Sequence, residues 1–349
     1  MSFELLKTFC ESVGLSPFGV AIPKSSTDVE KRYSEWISDG LHGSMDYLEH
    51  HSQFKVNPKA LLPDCKSLIV VGLGYNQEDG RPIRSKDIGI GKIAKYAWGR
   101  DYHKVMKKKL KSLEGLLKQH YPKEEFLVGS DATPLLETHF AVKGGIGFRG
   151  KHTLVINDQL GSWFFIGEVL TTLSFNTSFQ KTKRCGIGCN FCIDICPTKA
   201  IVAPYKLDAR KCISYLTIEH RGPIPEYLRP AIGNWIFGCD LCQDVCPWNV
   251  RAKKSKEVDF LNWNSGSTQS IDKLLSLRDH HDMVSFFAGS PLMRAGRERL
   301  VRNACTVAGN QKIKSLLPKL RVLSTDNDRG ISEHARWAVN IISKQKDEK

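Results

Sequence analysis

Eight of the eleven cysteines in this 349-residue chain fall between positions 185 and 246. They form two runs, Cys185-x3-Cys189-x2-Cys192-x3-Cys196-Pro197, then Cys212 followed by Cys239-x2-Cys242-x3-Cys246-Pro247. Thiolates at such spacing wrap a short loop around an iron–sulfur cubane, and the proline ends the loop and turns the last thiolate toward a second cluster. Two [4Fe–4S] clusters with crossed ligation are therefore expected. Cys185, Cys189, Cys192 and Cys246 hold the first, and Cys196, Cys212, Cys239 and Cys242 hold the second. Structural zinc takes four thiolates as two spaced pairs and has no use for the crossed proline pattern. One departure stands out: three residues, Gly186, Ile187 and Gly188, separate the first two ligands where two are usual. The glycines let the backbone bulge there. Such clusters move electrons singly and imply a wire that feeds other chemistry.

Asp131, in "GSDATP", is the acid most suited to that chemistry. It reads either as a cap or first-turn acid of a helix opened by Thr133-Pro134, or as a proton donor. In "YAWGRDYH", Tyr96, Trp98, Tyr102 and His103 form a polar–aromatic group that packs or lines a pocket. Two tempting motifs fail. Gly145-x4-Gly150-Lys151 copies most of a phosphate loop, but His152 replaces the magnesium-binding hydroxyl and the loop leaves a helix rather than a strand. No GxGxxG follows a strand, so a dinucleotide site is unsupported.

The elements that must position these groups alternate. Residues 66–74 read as a buried strand. Residues 103–119 read as a basic amphipathic helix with Val105, Leu110, Leu113 and Leu117 inward. The next helix runs from Thr133-Pro134 to Gly144-Gly145, followed by strands in "HTLVIN" and "SWFFIGEVLTTL". This alternation indicates an α/β (α+β) domain. From about residue 268 the pattern changes to short amphipathic helices, the look of HEAT-type hairpins with a basic outer face. The expected organisation is 1–175 as the α/β domain, 176–255 as a ferredoxin-like two-cluster domain and 256–349 as a helical HEAT-like domain.

The formal charge is +14, with thirteen Lys/Arg against five Asp/Glu in 81–125 and thirteen against six in 291–349. Two basic stretches suggest a polyanionic partner. No apolar run reaches membrane-span length, and the N-terminal stretch reads as an amphipathic helix rather than a signal peptide. A reducing, cytoplasmic setting is expected, in which cysteines stay unpaired and Cys10, Cys65 and Cys305 are structural.

The strings "YAWGRDYH", "GSDATPLLE", "GSWFFIGE", "LDARKCISYLTIEHRGPIP" and "FGCDLCQDVCPWN", in that order and followed by the basic tail, resemble the epoxyqueuosine reductase family over nearly the whole chain. The resemblance implies reduction of epoxyqueuosine to queuosine at the wobble position of tRNA by a cobalamin, cob(II)alamin, together with the two clusters. It implies a cobalamin-binding first domain and Asp131 as proton donor, which at neutral pH calls for a raised pKa. It implies corrin contacts from Asp131, Val155 (through its backbone), Ser214, Cys239 and Asp240. Arg221 would contact tRNA, and Tyr102 and His103 would shape the nucleoside pocket. A small electron-donor protein such as ferredoxin or flavodoxin and a monomeric state complete the expectation. One family position departs: Thr138 stands where the pattern D-x-x-P-x-x-x-R carries arginine. A related cobalamin reductase of a small molecule, such as an organohalide, is the alternative; the basic tail and helix argue against it, because a small neutral substrate needs no polyanion cradle.

Overall fold

The computed structural model describes residues 2–78, 88–175, 183–261 and 264–344. Arg81, Arg84 and Lys86 of the first basic stretch, the residues just past the boundary expected at 175, and Lys346 and Lys349 of the tail lie outside the described residues.

Four strands form the central sheet, in the order Phe18–Ala21, Ser67–Gly74, Phe164–Thr171, Phe126–Gly129, and every neighbouring pair is antiparallel. The alternation of strands and helices thus builds a mixed sheet-and-helix fold without parallel crossovers. The segment "SLIVVGL" is apolar on both faces because both faces are covered. Ile69, Val71 and Val169 pack with Leu6 and Cys10 of the helix Phe3–Ser12 and with Val105, Met106 and Leu110 of the helix Tyr102–His120. Their odd-numbered register leaves Leu68, Val70 and Leu170 for the opposite face, against Phe140 and Ala141 of the helix Glu137–Lys143. This is the two-residue side-chain period of a strand. Gly167 permits the close approach, since a Cβ there would stand 2.6 Å from Met106 Sδ.

The helix Tyr102–His120 buries Val105, Leu110, Leu113 and Leu117, as its periodicity predicts. Asp101 caps it, its carboxylate accepting from His103 N at 3.1 Å. The glycine pair closes the next helix as expected, but that helix starts at Glu137, three residues after Pro134. Of "HTLVIN" only Val155–Ile156 is a strand, because Thr153 turns the chain with φ +76°.

The cluster module contains two short helices, Phe191–Asp194 and Leu241–Asp244, which pack against one another ahead of their Cys-Pro pairs. The strand Trp235–Phe237 runs parallel to Ile90–Ile93, which also pairs antiparallel with Thr268–Ser270. Near the C-terminus, the helices Gly296–Asn310 and Arg329–Ser343 lie against one another, with Leu317–Leu323 beside the second. Their Leu300, Val301, Ala304, Ile331 and Ala335 share one apolar cluster with Ile93, Ile218, Ile236 and Phe237. Each fully buried aliphatic side chain there stabilises by about 1.5–3 kcal/mol. No described helix is long and apolar enough to cross a membrane.

Candidate active site

Asp131 sits in the turn after Phe126–Gly129, where Thr133 N bonds back to Ser130 O at 2.7 Å. The cap reading of Asp131 is excluded, because the following helix has Leu136 at its N-cap position and no side-chain cap bond. Instead the Tyr102 hydroxyl donates to Asp131 Oδ2, and His103 Nε2 lies 2.6 Å from Asp131 Oδ1. The other nitrogen of His103, Nδ1, lies 2.8 Å from Asp101 Oδ1. Consecutive residues at the start of one helix thus reach the same carboxylate. The Tyr102 ring is fixed by stacking on Phe165 at 4.0 Å, with Tyr96 edge-on at 6.1 Å.

The protonation of this group differs from the sequence expectation of a raised acid pKa. Burial alone would push Asp131 up. The hydrogen bond and charge of His103, the Tyr102 hydroxyl and the charge of Arg294 outweigh it and hold the carboxyl below its usual range. Burial would lower His103, but hydrogen bonds to Asp101 and Asp131 push it up to about 9. Near neutral pH the proton therefore resides on the imidazole, and Asp131 is the anion beside it. Behind this pair, burial and then the Asp131 charge push Glu137 up to about 7.

Cys192 lies in the field of Cys185, Cys246 and Cys189, and Cys239 in that of Cys212 and Cys196, while Cys242 lies in the field of Cys212, Cys239 and also Cys192. Among the described residues no three cysteine sulfurs lie within 4.8 Å of one another. A single tetrahedral zinc with Zn–S bonds of about 2.3 Å would bring its thiolates to about 3.8 Å. The wider spread suits cubane corners.

The second run reaches toward Asp131. Asp240, beside Cys239, is buried and accepts from Lys95 N at 2.6 Å; burial pushes its carboxyl up to about 7. Lys95 leads to Tyr96, which meets Tyr102. Ser214 is half-buried on the helix Ile213–Ile218, directly after Cys212. Val155 is buried under Phe140 and Leu135, so its side chain faces the core and its backbone is what remains for a ligand. Arg221 is exposed in the loop after that helix. The structure thus joins Tyr102, His103 and Asp131 in one hydrogen-bonded group and links them through Lys95-Tyr96 to Cys239-Asp240. No hydrogen bond ties Val155, Ser214 or Arg221 to that group among the described contacts. The half-exposed Asp131 and Ser214, the aromatic wall and the cluster-bearing Cys239-Asp240 suit a flat, redox-active macrocycle. A cavity of about 1410 Å³ lies elsewhere, lined by Lys7, Lys108 and Lys256 among others.

Two family models match the chain: "Epoxyqueuosine reductase QueG, DUF1730" over residues 55–132, and "4Fe-4S double cluster binding domain" over 184–249. An epoxyqueuosine reductase from Xanthomonas campestris is 36% identical over 337 residues, covering 96% of this chain and 94% of the relative. One from Pseudomonas aeruginosa is 38% identical, covering 96% and 93%. The chain belongs to the epoxyqueuosine reductase family. A solved family structure holding an epoxyqueuosine-modified tRNA-Tyr stem loop superposes with TM-score 0.89 at 27% identity, covering 99% of this chain and 94% of that one. Another, from Bacillus subtilis with its catalytic aspartate loop swung out of the active site, gives TM-score 0.89 at 28% identity, covering 97% and 90%.

Within this family member, four residues near the candidate site make contacts that carried no local signal in the sequence. Arg294, from the C-terminal part, donates to Glu219 Oε1 at 2.8 Å, bonds the Tyr47 hydroxyl and contributes positive charge at Asp131. Arg302 and Asn303, on a helix of the stretch read as having a basic outer face, are buried. Arg302 bonds the carbonyls of Leu216, His220 and Gly222, and Asn303 those of Thr217 and Ile236. They fasten the loop that carries Arg221. Lys151, the false phosphate-loop lysine, sends its buried ammonium to Ile187 O at 3.0 Å, Cys189 O at 2.7 Å and Asn190 Oδ1 at 3.2 Å. It clamps the loop that contains the extra residue.

Proposed function

We propose that this chain reduces epoxyqueuosine to queuosine at the wobble position of tRNA, using a cobalamin charged one electron at a time by two [4Fe–4S] clusters. The observation that carries this reading is the Tyr102–Asp131–His103 group, joined through Lys95-Tyr96 to the second cysteine run, in a chain similar end to end to epoxyqueuosine reductases. Opening the epoxide and removing its oxygen as water takes two electrons and two protons. When bound, the corrin cobalt supplies the two-electron reducing centre that clusters alone lack. It would lie among Asp131, the Val155 backbone, Ser214, Cys239 and Asp240. The chain's own residues deliver one of the two protons, and solvent supplies the other. His103, charged and oriented by Asp101, holds the delivered proton at Nε2 against Asp131 Oδ1. The Tyr102 hydroxyl fixes the other oxygen, leaving the half-exposed Asp131 to pass that proton to the departing oxygen.

The organisation supported is 1–175 as the cobalamin-binding domain, 176–255 as the two-cluster domain and 256–349 as the HEAT-like domain that helps to hold tRNA. Arg221, Arg294 and Arg299 interact electrostatically on this side, one from the loop after the 213–218 helix and two from the C-terminal part. Such a cluster recognises phosphate, and an unpaired anticodon loop presents bases that a pocket can accept. The reading includes a small electron-donor protein, a monomeric state and a cytoplasmic location. The test is anaerobic reconstitution with iron, sulfide and cobalamin, reduction, and nucleoside analysis of epoxyqueuosine-containing tRNA. Queuosine should appear only with cobalamin present; turnover without it would overturn the assignment.

A further inference from the structure

The two cysteine runs align residue for residue from Cys189 to Pro197 and from Cys239 to Pro247. At equivalent positions they meet opposite surroundings. Leu241 and Val245 of the second run are partly covered, Leu241 packing against the cluster of Ile213 and Trp235. Their counterparts, Phe191 and Ile195, are 54% and 44% exposed. Asp240 is buried, whereas its counterpart Asn190 is exposed. Ile187, in the first ligand loop, is 92% exposed, and Val250, four residues after Cys246, is 80% exposed.

Ile187 lies between Cys185 and Cys189, Phe191 directly before Cys192, and Val250 four residues after Cys246, all on segments that carry the ligands expected for the first cluster. Cys185 and Trp248 pack on the same small cluster as Cys246, and Lys183 Nζ sits 5.7 Å over the Trp248 ring. Single exposed apolar residues need no explanation, but several grouped around one redox centre mark an interaction surface. The rim is basic. Exposed Lys183, Arg184, Lys199, Arg251 and Lys253 outnumber the exposed Asp158 and Asp194. The loop backbone is also pre-set, because Lys151 bonds the carbonyls of Ile187 and Cys189. A partner docking there meets a fixed surface.

We infer that this face, Ile187, Phe191, Ile195 and Val250 within a basic rim, is the docking site for an acidic one-electron carrier protein that reduces the first cluster. It rests on the reading that the clusters feed the active site, and it names where electrons enter. Each docking event oxidises the carrier by one electron and reduces the first cluster by one. Two events supply the two electrons of the deoxygenation. An apolar centre brings the cofactors close, and opposite charge around it steers the encounter.

The test compares two reductants on the reconstituted holoenzyme and full tRNA: reduced flavodoxin, an acidic carrier, and dithionite with methyl viologen, which needs no docking surface. The variants are Phe191→Ala and the double change Val250→Asp with Arg251→Glu. The double variant should raise KM for flavodoxin roughly tenfold and flatten its salt dependence. Phe191→Ala should raise it less. Dithionite-driven turnover, iron content and tRNA binding should stay within about twofold of wild type. Unchanged flavodoxin kinetics in both variants would overturn the docking site. Equal loss with both reductants together with weakened tRNA binding would overturn it too, assigning the face to RNA. Failure of dithionite turnover in the wild type would instead count against the proposed function itself.

Discussion

The two cysteine runs share a spacing and differ in what surrounds them. The second run faces inward: Asp240 is buried against Lys95, and Tyr96 continues from there to Tyr102 and Asp131. The first faces outward, with Ile187 and Phe191 bare and the Lys151 clamp holding its loop. One motif used twice thus sits in one place against buried neighbours and in the other against solvent. Ligand spacing sets what is bound, and packing around the ligands sets what it exchanges electrons with.

The inward side should respond most to change. Asp131→Asn removes the group that passes the proton and should lower turnover by about 10²- to 10⁴-fold. Iron content should be unchanged in a metal assay. Near-normal turnover would break the link between the second run and the Tyr102–Asp131 wall. His103→Gln should act through pH. With His103 pushed up to about 9, its ion pair with Asp131 is intact below its ordinary pKa and is lost as pH rises through about 9. Wild-type turnover should therefore fall on an alkaline limb near pH 9, and the stabilisation from this pair should fade over the same range. Both effects should vanish in His103→Gln.

Smaller effects are expected where the runs are only held in place. Arg302→Met leaves the carbonyls of Leu216, His220 and Gly222 short of a charged donor. A loss of about 3 kcal/mol in denaturant-induced unfolding is expected. Lys151→Met should cost about 2 kcal/mol or less, and it should speed chelator extraction of iron from the first cluster while sparing the second. Equal lability of both clusters in that variant would remove the distinction between a clamped outer loop and a packed inner one.

The two-cluster domain was legible in the sequence because ligand spacing is local. So was the helix Tyr102–His120, whose inward Val105, Leu110, Leu113 and Leu117 recur at helical spacing. What the sequence did not yield depends on packing across long separations. Arg302 reads as one more basic residue on an amphipathic helix until the 216–222 loop is folded beneath it. Arg294 lies 75 residues from Glu219, and nothing near it in the chain points to Asp131. The protonation of Asp131 was missed for the same reason. The family resemblance implied an acid needing a raised pKa, but His103 and the distant Arg294 reverse the balance. The antiparallel sheet also escaped, because alternating strands and helices in the chain do not fix strand direction.

The most direct measurement is electron paramagnetic resonance of the anaerobically reconstituted, partly reduced protein carrying cob(II)alamin, with Cys242→Ser and Cys185→Ser compared side by side. The cobalt signal should change in Cys242→Ser, which alters the inward cluster, and match wild type in Cys185→Ser. A cobalt signal indifferent to Cys242→Ser, or disturbed only by Cys185→Ser, would contradict the placement of the second cluster beside the active site.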